Sequence, residues 1–223
     1  AAVSATRNAF GELDRERILT HVGGLLERGH SDEVLEASRV SRFAISSPRT
    51  EWSLVACLLI PLVEVMGNER TAPGVVRAAR DFYESVGKVT VEVRKEVPGH
   101  IANRLQAAVW REAVHLVSEG VGTVEDVDLA LATGPGVRWA IFGPTTLFHL
   151  GAGDEGLTGF CERYTESFHR WWDDLGDPRL DEETVRMLVD GVAAATDGAT
   201  VAELAARRDR LIATIVAATN RPD

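Results

Sequence analysis

Three polar side chains near the middle of the chain have the types and spacing needed for acid–base chemistry on a carbonyl compound. Glu64 ends the apolar segment Ile60-Pro-Leu-Val-Glu64, where partial loss of water suits a carboxylate that exchanges protons. His100 carries an imidazole, which gains and loses a proton near neutral pH, and Asn103 follows it by one helical turn. Enolisation of a 1,3-dicarbonyl needs an acid–base group and a polar amide near the oxygen. We therefore take His100 and Glu64 as candidate catalytic residues and Asn103 as a candidate substrate-binding residue.

Purely structural roles explain the same residues. A carboxylate at the end of a strand often pairs with a cation, and an arginine such as Arg94 or Arg104 could pair with Glu64. Taken alone, His100 and Asn103 are a polar pair at the end of a helix. Both interpretations stay open on the residues themselves.

A second group of candidates lies further along the chain. Arg138 follows Gly134-Pro-Gly136, a stretch that lets backbone approach a ligand, and its guanidinium could grip a carboxylate with two hydrogen bonds. A salt bridge within the protein is an equally good explanation of Arg138. Trp139 and Trp52 could line an aromatic pocket, which makes both candidate substrate-binding residues. The pair Trp171-Trp172 favours packing over chemistry.

Composition excludes several classes of partner. With 34 acidic and 24 basic residues the net charge is −10, which opposes binding to nucleic acid and to anionic lipid. The longest apolar run, Leu54 to Val63, is short and contains a proline, so we expect no membrane segment. The N-terminus shows no secretory signal, and we expect cytoplasmic residence. Two cysteines, Cys57 and Cys161, predict neither a disulfide nor a metal site.

Residues 1–96 show a mixed pattern. Two helices are predicted between Leu13 and Leu35, and a short strand within residues 42–48. The apolar run from Trp52 to Val65 suits a buried strand, with or without a preceding helix. A helix is predicted to start at Thr71-Ala-Pro73 and to stop at Gly87. The alternating segment Val89 to Arg94 then completes a β–α–β unit.

The sequence pattern of residues 97–223 predicts helices and no strands. The segment Ile101 to Glu119 is predicted to bury Leu105, Ala108, Val109 and Leu116. A hydroxyl followed three residues later by an acid marks two further helix starts, at Thr123 and at Thr200. An aromatic helix spans Phe160 to Trp172, and another helix starts at Asp181. The predicted fold is therefore mainly α, with a small α/β part at residues 1–96 and an all-helical domain at residues 97–223.

The order of motifs from Ile60 onward resembles the 3-hydroxyacyl-CoA dehydrogenase superfamily, especially its carnitine and L-gulonate dehydrogenase-like branch. The resemblance rests on four motifs in particular: Ile60-Pro-Leu-Val-Glu-Val, Val97-Pro-Gly-His-Ile-Ala-Asn-Arg-Leu-Gln, Gly134-Pro-Gly-Val-Arg-Trp-Ala-Ile-Phe-Gly-Pro and Phe148-His-Leu-Gly. It implies a Rossmann domain that binds NAD, followed by a helical domain like the C-terminal domain of 6-phosphogluconate dehydrogenase, which dimerises and closes over the substrate. It also implies that Glu64 orients a catalytic histidine and that Asn103 contacts the substrate.

Three departures from the family pattern shape the functional expectation. No strand followed by a Gly-x-Gly-x-x-Gly turn and a helix precedes Leu13. The one Gly-x-Gly-x-x-Gly string in the sequence, Gly151 to Gly156, lies among predicted helices and has two acidic residues where a pyrophosphate would bind. Trp52 occupies the place of the family histidine, counting back from Glu64. About 60 residues precede the matching part, too few for a whole dinucleotide fold. These departures predict a truncated, degenerate NAD-binding domain.

We accordingly expect a cofactor-independent enzyme that performs dehydration, cyclisation, isomerisation or retro-aldol chemistry on a β-keto or 3-hydroxy carbonyl substrate. His100 would act as its general base, and no cofactor would be needed. Two alternatives stay open: an NAD-dependent oxidoreductase with a remodelled cofactor site, and a non-catalytic dimeric binding protein. In each case we expect a homodimer formed through the helical domain, because its apolar helix faces would otherwise be exposed.

Overall fold

The computed structural model describes residues 60–219, which are mainly helical with one small sheet. Their elements in chain order are β1 (Leu62–Val65), α1 (Val75–Ser85), β2 (Val89–Glu92), α2 (Ala102–Ser118), α3 (Val124–Thr133), α4 (Pro135–Trp139), α5 (Pro144–Gly151), a 3₁₀ turn (Gly153–Glu155), α6 (Gly156–Asp174), α7 (Glu182–Ala195) and α8 (Val201–Thr219). This order confirms the predicted fold class. The helices predicted between Leu13 and Leu35 and the strand predicted within residues 42–48 lie outside the described residues.

The described residues form two compact units. One contains residues 60–104 together with Ala205–Ala217, and the other contains Leu105–Leu204. We call them the sheet unit and the helical unit. The predicted domain boundary between residues 96 and 97 stays a prediction.

The sheet unit contains the β–α–β motif that the sequence predicts. Strands β1 and β2 are parallel, and their register pairs Leu62 with Val89 and Val65 with Glu92. Two parallel neighbours need a crossover connection, and α1 supplies it. Val65, Ala79 and Val93 come from β1, from α1 and from the residue after β2, and each is at most 4% exposed. These three small side chains are the core of the motif.

Helix α1 ends before Gly87 as predicted, but it begins at Val75, after the predicted start at Thr71-Ala-Pro73. Gly74 precedes it with φ +88°, and Gly87 follows its last turn with φ +83°, a left-handed conformation in which glycine carries no steric penalty. The Arg80 guanidinium on α1 donates a hydrogen bond of 3.0 Å to the Thr90 hydroxyl on β2. It also forms an ion pair of 3.6 Å with Glu92. Helix and strand are therefore joined by polar contacts as well as by the core.

Side-chain caps set the starts of the helices in the second half. At α3 the Thr123 hydroxyl accepts a hydrogen bond from the Asp126 N–H, and the Asp126 carboxylate accepts one from the Thr123 N–H. This reciprocal pair is the predicted capping box. Asp181 accepts from the Thr184 N–H at the start of α7, and Glu203 accepts from the Thr200 N–H before α8. All three predicted helix starts are confirmed.

The core of the helical unit is small. Val114, Val124 and Ala152 are its buried apolar residues among those that the structure describes. The expectation that α2 buries Leu105 and Ala108 is wrong: Leu105 is 60% exposed and Ala108 is exposed as well. Helical periodicity shows which positions share a face, but not whether another element covers that face. Within residues 60–219, no helix combines the length and the apolarity required to span a bilayer.

Candidate functional site

Glu64 caps the start of a helix 37 residues further along the chain. Its Oε1 accepts hydrogen bonds from the N–H groups of Ile101 at 2.8 Å and Ala102 at 3.1 Å. Ala102 is the first residue of α2. The carboxylate is half-buried at the end of β1, one residue before the fully buried Val65. Glu64 thus fixes the end of a strand to the start of a helix inside the sheet unit.

The physical reason for this contact is the electrostatics of a helix start. The first N–H groups of a helix have no partner within it, and the aligned peptide dipoles place partial positive charge there. The first turn of α2 contains no acidic residue of its own. A carboxylate from β1 supplies the missing acceptor and charge. The predicted pairing of Glu64 with Arg94 or Arg104 is therefore wrong, because its partners are backbone N–H groups.

A tight turn brings His100 next to this contact. The His100 N–H donates to the Val97 carbonyl at 3.0 Å, and the Arg104 N–H donates to the Gly99 carbonyl at 3.2 Å. Gly99 has φ +79°, and a Cβ on it would lie 3.2 Å from the Arg104 nitrogen, so the turn favours glycine at this position.

His100 itself departs from the expected conformation. It has φ +49° and precedes α2, so it is not part of that helix. The prediction that Asn103 follows His100 by one helical turn is therefore wrong. A left-handed backbone is uncommon in residues other than glycine, although histidine adopts it more readily than most, and such residues cluster at active sites and ligand-binding positions. The half-buried imidazole is held by this turn, next to the residues that Glu64 binds.

Asn103 is the second residue of α2 and is half-buried. It follows Ala102, whose N–H is bound by Glu64. The structure thus brings three predicted site residues, Glu64, His100 and Asn103, into one place at the start of α2.

Arg138 and Trp139 lie in the helical unit, next to each other at the end of α4. Two glycines allow this short helix to follow α3 closely: a Cβ on Gly134 would lie 2.5 Å from the Ala130 carbonyl oxygen, and one on Gly136 would lie 2.7 Å from that of Leu131. Arg138 is exposed and forms no ion pair with any residue between 60 and 219, and Trp139 is 40% exposed. The structural salt bridge considered for Arg138 is absent from this range. Trp52 lies outside the described residues.

The glycine string from Gly151 to Gly156 connects two helices. It covers the end of α5, the 3₁₀ turn and the first residue of α6. Gly156 has φ +59°, and a Cβ there would lie 2.6 Å from the His149 ring. The His149 Nδ1 accepts a hydrogen bond from the Leu157 N–H at 3.1 Å. The string therefore provides a tight turn between helices, with a histidine cap, and it does not follow a strand as a phosphate-binding loop would.

Sequence reasoning overlooked two side chains with clear roles. His149 lies before α6 and caps it by accepting a hydrogen bond from the Leu157 N–H. Glu112 on α2 accepts a hydrogen bond from the Gly176 N–H at 2.9 Å, across 64 residues. A Cβ on Gly176 would lie 2.0 Å from the His115 ring, which explains the glycine. No sequence signal identifies a contact between residues 64 positions apart. Glycine at position 176 is consistent with a close approach of another side chain.

Two protein families match consecutive parts of the chain. Residues 56–97 match the family described as 3-hydroxyacyl-CoA dehydrogenase, NAD binding domain. Residues 99–191 match the family described as 3-hydroxyacyl-CoA dehydrogenase, C-terminal domain. The junction between the matches falls in the Pro98–His100 turn. Along the sequence, the candidate residues at the start of α2 thus follow the boundary between the two matches closely.

Curated relatives agree with these matches. The L-carnitine dehydrogenase of Streptomyces coelicolor is 46% identical over 163 residues, which are 73% of this chain and 51% of that protein. The L-carnitine dehydrogenase of Pseudomonas aeruginosa is 38% identical over 188 residues, 84% of this chain and 57% of that protein. The chain therefore spans about half the length of the curated relatives that it matches.

A solved structure matches the fold. It is the crystal structure of 5-formyl-3-hydroxy-2-methylpyridine 4-carboxylic acid 5-dehydrogenase, described as an NAD+-dependent dismutase. The two structures share 29% sequence identity and superpose with a TM-score of 0.58, over 74% of this chain and 54% of the other.

These comparisons overturn the expectation of a cofactor-independent lyase, isomerase or cyclase, and with it the expectation that no cofactor is used. The relatives are dehydrogenases, and residues 56–97 match an NAD-binding domain. The error came from treating the missing glycine-rich turn as lost. Because these 223 residues correspond to about half of each relative, the absence of that turn says nothing about cofactor use.

Proposed function

Because the chain belongs to the 3-hydroxyacyl-CoA dehydrogenase superfamily, in the branch of the L-carnitine dehydrogenases, we propose that it is part of an NAD-dependent oxidoreductase that interconverts a 3-hydroxy and a 3-keto carbonyl compound. One observation carries the proposal: the parallel β1–α1–β2 motif lies within the match to an NAD-binding domain and leads directly into the turn with His100. L-Carnitine, which the relatives' names specify, is a first candidate substrate.

Residues 60–219 contain only one pair of the parallel strands that a dinucleotide fold needs, and no glycine-rich turn follows either strand. We therefore assign no residue of this range to holding NAD. When bound, NAD+ would accept hydride from the carbon that carries the hydroxyl. The remaining tasks, which are proton transfer and orientation of the substrate, fall to side chains of this chain.

We assign these tasks by geometry. His100, held half-buried in its turn, accepts the hydroxyl proton during oxidation and returns it during reduction. The Asn103 amide donates a hydrogen bond to the substrate oxygen. Glu64 holds the turn and the start of α2 in place through its two backbone contacts. In the helical unit, Arg138, which is free of ion pairs within residues 60–219, and its neighbour Trp139 are proposed substrate-binding residues, with Arg138 as the partner of an acidic group. Trp52, which lies outside residues 60–219, stays a predicted substrate-binding residue.

A coupled assay tests the proposed reaction. We expect the purified protein to reduce NAD+ when it is given L-carnitine or another 3-hydroxy acid, and His100→Ala to lower kcat by about 100-fold or more. Arg111→Ala is the matched control, since Arg111 is an exposed residue of α2 outside the proposed site. Absence of NADH formation with every 3-hydroxy acid tested would contradict the proposed function. Unchanged kcat in His100→Ala would contradict the role of His100.

The proposal includes a homodimer built through the helical unit. Several large apolar side chains of this unit are more than half exposed, among them Val121 at 71% and Leu129 at 58%. A second apolar feature lies between α2 and α3, a cavity of about 520 Å³ lined by residues such as Val109, Leu116 and Val127. Apolar surface of this kind is covered in most proteins by a partner, and a second copy satisfies the symmetry of homo-oligomers.

Light scattering checks the dimer directly. We expect a dimer at micromolar concentration and a shift toward monomer in Leu129→Asp, which places a charge on the exposed apolar surface without disturbing the core. Thr133→Asp on the same helix is the control for added charge. A wild-type monomer would refute the dimer. Cytoplasmic residence is likewise part of the proposal, supported by the free, exposed thiol of Cys161.

A further inference from the structure

Helix α6 is capped by a side chain of the helix before it. The His149 Nδ1 on α5 accepts the hydrogen bond of 3.1 Å from the Leu157 N–H. Glu155, the residue before α6, makes no side-chain cap, and the first turn of α6 contains no acidic residue. His149 therefore supplies the acceptor that neither Glu155 nor the first turn of the helix provides. It has no task in the proposed redox reaction.

An imidazole can cap a helix start in only one protonation state. A ring nitrogen that accepts a hydrogen bond carries no proton, so the His149 ring is neutral and its proton is on Nε2. A second proton would turn Nδ1 into a donor and would place positive charge beside N–H groups that already carry partial positive charge. Histidine side chains change charge between about pH 5 and about pH 8. Acidification within this range therefore removes the acceptor of the Leu157 N–H.

The His149 ring lies directly against the backbone at the start of α6. Gly156 has φ +59°, and a Cβ on it would lie 2.6 Å from the ring. Because the contact is this close, a protonated Nδ1 that faces the Leu157 N–H has to move away, or the helix start has to move instead.

The charged neighbours of His149 do not form ion pairs with it. The elements packed against α5 are α4, the 3₁₀ turn and α6. Within residues 60–219, no residue forms an ion pair with His149, and Glu155 is paired with Arg163. The charged or titratable groups of α4, of the 3₁₀ turn and of the first two turns of α6 are Arg138, Asp154, Glu155, Cys161, Glu162 and Arg163.

A pocket between α5 and α6 shares residues with this cap. Leu157 supplies the N–H that His149 binds, and its side chain lines a cavity of about 180 Å³ together with Phe148 and Phe160. Phe148 is the neighbour of His149 on α5, and its ring stacks on that of Phe160 with centroids 4.5 Å apart. A change at the first turn of α6 therefore changes the wall of the pocket.

We propose that His149 is a pH-sensitive cap, which holds the first turn of α6 and the pocket beside it in place when neutral and releases both when protonated. The cap is complete at the upper end of the histidine range and is lost as pH falls through that range. This inference concerns the helical unit alone, and it does not rest on the proposed redox function.

Hydrogen exchange measured by NMR tests the cap directly. The protection of the Leu157 N–H, corrected for the intrinsic pH dependence of exchange, is compared at about pH 8 and about pH 5.5. We expect protection to fall about fivefold or more at the lower pH, as the loss of one helix cap implies. The nuclear Overhauser effect between the Phe148 and Phe160 rings should weaken over the same range. Equal protection of Leu157 at the two pH values, or an unchanged contact between the rings, would overturn the proposal.

The start of α7 provides an internal control. The Thr184 N–H is capped by the Asp181 carboxylate at 2.8 Å, and a carboxylate stays ionised between about pH 5.5 and about pH 8. Protection of Thr184 should therefore stay constant. Equal losses of protection at Leu157 and Thr184 would show general loosening of the protein and would contradict a specific role of His149.

Substitutions identify the group that senses pH. His149→Asn places an amide oxygen near the position of Nδ1, and because this group does not titrate, protection of Leu157 should be the same at both pH values. His149→Ala should show at about pH 8 the low protection that the wild type shows at about pH 5.5. His169→Asn is the matched control, since it removes a histidine further along α6 that lines the pocket. Wild-type pH dependence in His149→Asn, or its loss in His169→Asn, would contradict the assignment.

Discussion

Glu64 is a candidate site residue whose observed contact differs from the arginine pairing that the sequence left open. Glu64 ends an apolar strand and resembles a family carboxylate, and both features make it a candidate site residue. Its actual partners are the Ile101 and Ala102 N–H groups. The contact spans 37 residues, and local sequence contains no information about it. A helix cap can be predicted from sequence when its two residues are three positions apart. The cap formed by Glu64 cannot, because it depends on how β1 and α2 are placed in the fold.

The cap formed by Glu64 makes a stability prediction. Glu64→Ala removes the acceptor for two N–H groups and should lower the free energy of unfolding by about 1 kcal/mol, as loss of a helix N-cap does. Glu64→Gln keeps an oxygen acceptor but loses the charge, so its loss should be smaller. Urea denaturation followed by circular dichroism measures both.

The control for this prediction is Glu69→Ala, which removes an exposed carboxylate of the same unit. It should leave the unfolding midpoint unchanged. If Glu64→Ala and Glu69→Ala are equally stable, the Glu64 contacts do not stabilise the protein.

Arg138 makes a prediction about substrate binding. It is exposed and forms no ion pair within residues 60–219, so its replacement should leave stability intact. Arg138→Gln should raise KM for an acidic 3-hydroxy substrate roughly tenfold or more, since a hydrogen bond to a charged group contributes about 1.5–3 kcal/mol. Initial rates over a substrate series give KM and kcat separately. Arg186→Gln on α7 is the control, and equal KM values in the two variants would rule out the assignment.

At the scale of elements, helix starts are where sequence was most informative. Thr123, Asp181 and Thr200 begin helices as predicted, because each cap acts within three residues. The parallel pair β1 and β2 was also predictable, from an apolar run and an alternating one separated by a helix with clear stops. The burial of individual side chains on α2 was not predictable, because it depends on which neighbouring elements cover each face of the helix. The left-handed turn at His100 was not predicted either, since it depends on the close approach of Gly99 to Arg104.

The capping carboxylates predict how stability depends on pH. Hydrogen bonds from the Thr123 hydroxyl and then from its N–H lower the pKa of Asp126 below its ordinary value of 3.8. The Thr184 N–H lowers the pKa of Asp181 in the same way, and the Thr200 N–H lowers the pKa of Glu203 below 4.5. A carboxyl with a lower pKa in the folded state stabilises folding when ionised. This contribution is complete above the ordinary pKa values and disappears as pH falls through the lowered ones.

Thermal unfolding of the triple variant D126N/D181N/E203Q checks that dependence. At pH 7 the variant should melt at a lower temperature than the wild type. As pH falls below the ordinary pKa values, the difference between the two melting temperatures should shrink, because the wild-type carboxylates become protonated. A difference that stays constant from pH 7 to pH 3 would contradict the assigned cause.

The turn between α5 and α6 gives a matched pair of glycine substitutions. Gly153 and Gly156 both have positive φ, but a Cβ meets nothing within 4 Å at Gly153 and meets the His149 ring at 2.6 Å at Gly156. Gly153→Ala should cost about 1 kcal/mol of backbone strain alone. Gly156→Ala adds a steric clash and should cost about 1–3 kcal/mol more. Equal unfolding free energies in the two variants would show that His149 is not packed against Gly156.

The whole molecule combines part of an NAD-binding domain with a helical domain of the same family. Sequence motifs identified that family and the mainly helical fold, because the motifs are long and occur in one order. The same sequence led to a wrong expectation about the cofactor, because the absence of a glycine-rich turn after a strand was taken as loss of NAD binding, whereas residues 56–97 match an NAD-binding domain. Glu64, His100 and Asn103 gather at the start of α2, where the two family matches meet. The proposed function assigns its proton transfer and substrate contact to this group of residues.

Equilibrium binding of NADH to the purified protein is the most direct test of this account. Enhancement of NADH fluorescence is measured as protein is added, with NAD+ as competitor. We expect saturable binding of NADH at micromolar concentration and its displacement by NAD+. Fluorescence that stays unchanged across the titration, together with no NADH formation from any 3-hydroxy acid, would contradict it.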